Sequence, residues 1–146
     1  MSGPRDYQRS RVYRWESRIV EPRDPTIIAF PAAQAMVNAI WSDMGIRYPP
    51  VVEGQSRRTS KTIASANRLS LFLPEKTPAW CLLHEIAHAM TTTVDGHSDG
   101  HGAVFIGVYV QLLTRYLRMD EAALLRSLQK AGIRVALDAH PVFVSA

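Results

Sequence analysis

Four of the five histidines of this chain fall within HEIAHAMTTTVDGHSDGHG, residues 84–102. The stretch overlaps an apolar run, TPAWCLLHEIAHAM (77–90), in which Trp80, Leu82, Leu83, Ile86, Ala87 and Met90 leave no consistently polar face. A helix that is apolar nearly all round is a buried one. The spacing predicts such a helix over 77–93, with Thr77 as N-cap and Pro78 at its first position. The rest of the chain has to cover this helix, and it has to accommodate His84, Glu85 and His88 inside it.

Four residues separate His84 from His88, so on a helix both imidazoles lie on one face, one turn apart. Two nitrogens so placed suit one Zn²⁺ at about 2.0–2.1 Å. Glu85 sits beside such an ion rather than on it, where it can take a proton from the ion's water. The metal lowers that water's pKa from about 15.7 toward 7 and polarises a carbonyl, which is the chemistry of hydrolysis. Burying these three side chains without a metal is costly.

A catalytic zinc needs a third protein ligand and one open position. His97 and His101 are both candidates, and Glu121 is a rival carboxylate. His101 is favoured, because Gly100 and Gly102 let the backbone turn tightly around it. Glu121 reads instead as the first turn of a later helix, where an acid suits the dipole. Asp95 and Asp99 are candidates to orient an imidazole or simply to form turns. Tyr109 and Tyr116 are candidates to stabilise an oxyanion, or core tyrosines. Cys81 reads as a small buried hydrophobe. His140 carries no signal.

Around this centre the pattern is that of a single α+β domain over 1–146. A first helix is expected over 5–18, with Tyr7, Val12, Trp15 and Ile19 for packing. Arg5, Arg9, Arg11, Arg14 and Arg18 form its basic face. EPRDP (21–25) is a loop. A second helix over 31–44 carries a stripe of Ala35, Met36, Ala39, Ile40 and Met44, and stops at Gly45. VVEG, RRTSKTIASA and NRLSLFLP alternate as half-buried strands, with SAN (65–67) as a turn; they predict a small antiparallel sheet. LSLFLP (69–74) is the candidate edge strand to pair with an extended substrate. Helices over 103–118 and 119–132 follow, the latter capped by Asp120 and stopped by Gly132. IRVAL (133–137) is a possible last strand.

Composition narrows the class. The chain has 146 residues and one cysteine, so neither an internal disulfide nor a cysteine-based zinc ribbon is possible. No apolar run approaches the roughly 18 residues of a membrane span. The N-terminal stretch lacks the hydrophobic segment of a secretory signal, and Asp6 and Glu16 do not suit a transit peptide, so the expected location is cytoplasmic. The net charge of +4 permits nucleic-acid binding without arguing for it.

HEIAHA…DGHGAVF resembles the SprT-like (Spartan) zinc metallopeptidases, whose active helix H-E-x-x-H-A precedes a loop ending in D-G-H-G-x-x-F. The matching positions are His84, Glu85, His88, Ala89, Asp99, Gly100, His101, Gly102 and Phe105. Ala103 stands where that family often has proline. The whole chain is also similar to a set of small bacterial proteins taken for metallohydrolases. The resemblance implies a zincin-like fold, one zinc on His84, His88 and His101, and Glu85 as the catalytic base. It implies a protein or peptide substrate. A zinc amidohydrolase acting on a non-protein amide, and a non-catalytic zinc-dependent binding or regulatory module, are the alternatives. The oligomeric state is not legible.

Overall fold

The computed structural model describes residues 6, 8–55 and 64–142. The elements run α1 (Arg9–Trp15), a π-helical turn (Glu16–Val20), a 3₁₀ turn (Glu21–Arg23), β1 (Ile27–Ala29) and α2 (Phe30–Asp43). They continue with β2 (Val51–Gly54), β3 (Ser65–Ala66), β4 (Ser70–Leu73), β5 (Lys76–Pro78), α3 (Ala79–Met90), α4 (Ala103–Tyr116) and α5 (Glu121–Lys130). This is an α+β protein, as its pattern predicts. No helix is long and apolar enough to cross a membrane among the described residues.

α3 is the centre. All of its residues except Trp80 and His88 are buried. α4 packs along it, burying Phe105 to Val110, Leu112 and Leu113. α3 stops at Met90 because three threonines follow. The Thr91 hydroxyl donates to Ala87 O at 2.8 Å and the Thr92 hydroxyl to His88 O at 2.5 Å. These bonds satisfy carbonyls that the helix end leaves without partners.

The strands differ from the expected sheet in several ways. β2 and β4 run parallel, Val51 opposite Ser70 through Gly54 opposite Leu73, and only β3 pairs with β4 in the antiparallel sense. β4 is therefore the middle strand, with Leu71 and Leu73 buried, and LSLFLP is not an edge. Ser65 and Ala66 belong to β3 rather than to a turn; the chain reverses at Asn67, whose side chain accepts from Leu69 N and Ser70 N. Most of the expected strand RRTSKTIASA lies outside the described residues. A second, two-stranded sheet joins β1 to β5, Ile27 opposite Pro78. Thr77 is thus a buried strand residue and not the cap of α3, whose N-cap is Pro78.

Other boundaries shift for local reasons. The first helix is α-helical only from Arg9 to Trp15 and then opens into the π turn, while Glu21–Arg23 of the expected loop is 3₁₀. α2 has Pro31 in its first turn and ends before Gly45 at φ +77°. Its buried face is Ala33, Val37, Ile40 and Trp41, rotated from the expected stripe so that Trp41 enters the core. Ala35 and Ala39 face out. Asp120 caps α5 by accepting from Ala123 N at 2.8 Å. Residues 133–137 form no strand. Their amides are taken elsewhere, Arg134 N by the Gln8 side chain and Ala136 N by Ala103 O.

Candidate metal centre

α3 delivers His84 and His88 from successive turns, and the loop before α4 delivers His101. Their Nε2 atoms form a nearly equilateral triangle, with edges of 3.1, 3.2 and 3.3 Å. Three ligands of a tetrahedral ion bound at about 2.0–2.1 Å lie about 3.3 Å apart, so the triangle has the size of one face of such a site. These three histidines lie close enough to bind one metal ion.

The hydrogen-bonding pattern suits a cation there. His84 Nδ1 lies 2.5 Å from Glu16 Oε2, and His101 Nδ1 lies 2.6 Å from Asp6 Oδ2. An ionised carboxylate only accepts, so each Nδ1 carries the hydrogen and each Nε2 presents a bare lone pair. Two lone pairs 3.3 Å apart repel unless a proton or a metal ion lies between them. Charge points the same way. Glu16 and Glu85 are 2% and 7% exposed. Among the described residues no lysine or arginine pairs with either, or with Asp6. Buried carboxylates of this kind are held by a paired charge or a metal.

Burial presses His84's pKa down, but the Glu16 carboxylate outweighs it and the net direction is upward. His88 is driven well below the usual imidazole range by burial, then by His84 and His101. His101 is lowered by burial, against the opposing pull of Asp6. Glu85 is raised to about 7, first by burial, with His84 opposing and Glu16 adding. Its carboxylate makes no hydrogen bond among the described residues.

Phe105 packs against all three imidazoles and stacks on His88 at 4.2 Å. Tyr13 stands at the rim, 44% exposed, stacked on His84 at 6.0 Å and edge-on to His101 at 5.1 Å.

The loop DGHG places its parts by two close approaches. Asp99 accepts from Val104 N at 2.8 Å and Phe105 N at 3.3 Å, capping the first turn of α4. A Cβ on Gly102 would come 2.5 Å from the Asp99 carboxylate, and one on Gly100 (φ +64°) would come 2.7 Å from Asp6. Each glycine makes room for one carboxylate.

The expected site residues divide accordingly. His84, His88 and His101 converge. His97 is exposed and pairs with Asp95 at 3.2 Å. Glu121 lies in the first turn of α5. Asp99 serves α4 and not an imidazole. The Tyr109 hydroxyl donates to Glu16 Oε2 at 2.7 Å, behind His84, so its proton is committed to the ligand's support. Tyr116 bonds to Asp43 of α2, away from the cluster. Cys81 is buried. Glu16 and Asp6, the carboxylates behind the ligands, are the residues sequence reasoning missed. A signal for Glu16 existed: it lies four residues after Val12 and next to Trp15, on the apolar stripe of the helix.

Comparison of the chain with protein-family models, curated proteins and solved structures finds no match. What fold and site define together is an α+β protein with a buried three-histidine centre of metal-binding geometry.

Proposed function

We propose that this protein is a zinc-dependent metallopeptidase, with His84, His88 and His101 as the metal ligands and Glu85 as the general base. The observation that carries this reading is the convergence of three histidine Nε2 atoms beside a buried carboxylate that makes no hydrogen bond among the described residues. The likeness of residues 84–105 to the SprT-like metallopeptidases supports it. Three histidine nitrogens converging on one point would hold a zinc of the catalytic kind. Zinc held there supplies Lewis acidity, acidifying a water and polarising a substrate carbonyl.

Glu85 follows the first ligand on α3, so the helix itself fixes its distance from the ion. With a pKa raised to about 7, it is poised to accept a proton from water and to return it to the leaving amine. Glu16 and Asp6 hold the ligand rings. Phe105 packs against all three rings, and the half-exposed Tyr13 lies over His84 and His101.

Glu85→Gln tests the reading. It keeps the metal and lowers peptide hydrolysis by about 10²- to 10⁴-fold. Near-normal turnover removes Glu85 from the mechanism. A second substrate class has one observation in its favour. β4, the strand expected to take an extended peptide, is paired on both sides and offers no free edge, whereas β5, directly before α3, is paired only with β1. A small non-protein amide needs no such edge. Parallel assays on peptides and on small amides separate the two.

A further inference from the structure

The segment from Asp6 to Val20 contributes no metal ligand, yet it surrounds two of them. Gln8 is buried and its amide donates to His101 O at 3.0 Å. Asp6 Oδ2 accepts from His101 at two points, Nδ1 at 2.6 Å and the backbone N at 3.1 Å. Tyr13 lies over His84 and against His101. Glu16 Oε2 accepts both His84 Nδ1 and the Tyr109 hydroxyl.

Glu16 occupies a position where a helix of this kind carries an apolar residue. Val12, Trp15, Glu16 and Val20 form one buried face. A carboxylate in that face costs stability unless its charge is compensated. The helix opens into a π turn from Glu16 onward, a distortion that recurs at functional sites. Its partners among the described residues are His84 Nδ1 and the Tyr109 hydroxyl, and a cation at the three imidazoles would offset its charge through His84. Asp6 is accommodated by the missing side chain of Gly100, across 94 residues of sequence.

We infer that Asp6 and residues 8–20 are one half of the metal centre. Glu16 and Asp6 are positioning residues that fix which nitrogen of His84 and His101 faces the ion, and metal binding is coupled to docking of this segment. The coupling is reciprocal by linkage: whatever affinity the docked segment gives the metal, the metal returns to docking. The inference rests on the metal-centre reading above.

The test titrates the metal-free full chain with Zn²⁺ against a chromophoric chelator, with circular dichroism as the check on folding. Carboxylates behind metal-bound histidines are typically worth ten- to a hundredfold in affinity. Glu16→Gln keeps an oxygen for both donors and loses only the charge. It and Asp6→Asn are each expected to raise the zinc Kd about ten- to a hundredfold. Arg14→Ala, on the exposed face of α1, leaves the Kd unchanged. Hydrogen exchange on the wild type gives an independent readout, which decides the matter if Glu16→Gln does not fold. Chelation is expected to deprotect residues 9–20 more than α5. Unchanged affinity in both carboxylate variants, or equal deprotection of α1 and α5, overturns the inference and leaves the metal centre standing. A wild type that binds no zinc overturns both.

Discussion

Gly102→Ala isolates the way the DGHG loop is built. The new Cβ would sit 2.5 Å from Asp99 Oδ2 and 2.8 Å from its Cγ, closer than real contacts allow. Asp99 therefore has to release Val104 N and Phe105 N, the two amides it caps. Losing an N-terminal cap costs about 0.5–2 kcal/mol. In a chain of this size each kcal/mol moves Tm by about 3–4 °C, so Gly102→Ala is expected to melt about 2–8 °C lower. The comparison belongs on metal-free protein, where zinc affinity does not enter the melt. Because the damage runs through Asp99, it should vanish once Asp99 is gone. In an Asp99→Gly background, which also removes the Asp99 Cβ that would lie 2.9 Å from the new methyl, adding Gly102→Ala should cost less than about 0.5 kcal/mol, the signature of two changes acting on one interaction. An equal loss in both backgrounds, or no loss in either, refutes the close-approach argument.

The thiol of Cys81 is pushed up to about 12, first by burial and then by Glu85 and Glu16. It should ignore iodoacetamide at pH 8 in the folded protein and react on unfolding, which mass spectrometry reads directly. Its folded pKa lies above the unfolded value of about 8.5, so its contribution favours the native state below pH 8.5 and is lost as pH rises toward 12. Asp120→Ala removes the cap on Ala123 N and should cost about 1 kcal/mol in chemical denaturation, with no change in zinc affinity. Glu85→Gln should separate metal content from turnover, as set out above.

The centre was legible because its chemistry is local in sequence. The H-E-x-x-H spacing, the apolar surroundings on α3 and the glycines around His101 distinguish that residue from His97 without a structure. What the glycines accommodate was not legible. Asp6 meets His101 across 95 residues and Glu16 meets His84 across 68, and no periodicity reports such a contact. Tyr109 and Tyr116 look alike on α4; only the packing of α2, which offers Asp43 to one of them, tells them apart. The strands failed for a related reason. β1 and β5 are three residues each, too short for alternation to register, and the parallel pairing of β2 with β4 is decided by neighbours rather than by either strand's pattern. Helix existence followed from composition, whereas the rotation of α2 about its axis, which brings Trp41 inward, was set by the core it met.

The most direct test of the central claim is the metal content of the purified chain by elemental analysis, with His101→Ala and His97→Ala alongside. The account predicts one zinc per chain in the wild type and in His97→Ala, and its loss or marked weakening in His101→Ala. Zinc retained at full strength without His101, or no metal in the wild type, would contradict it.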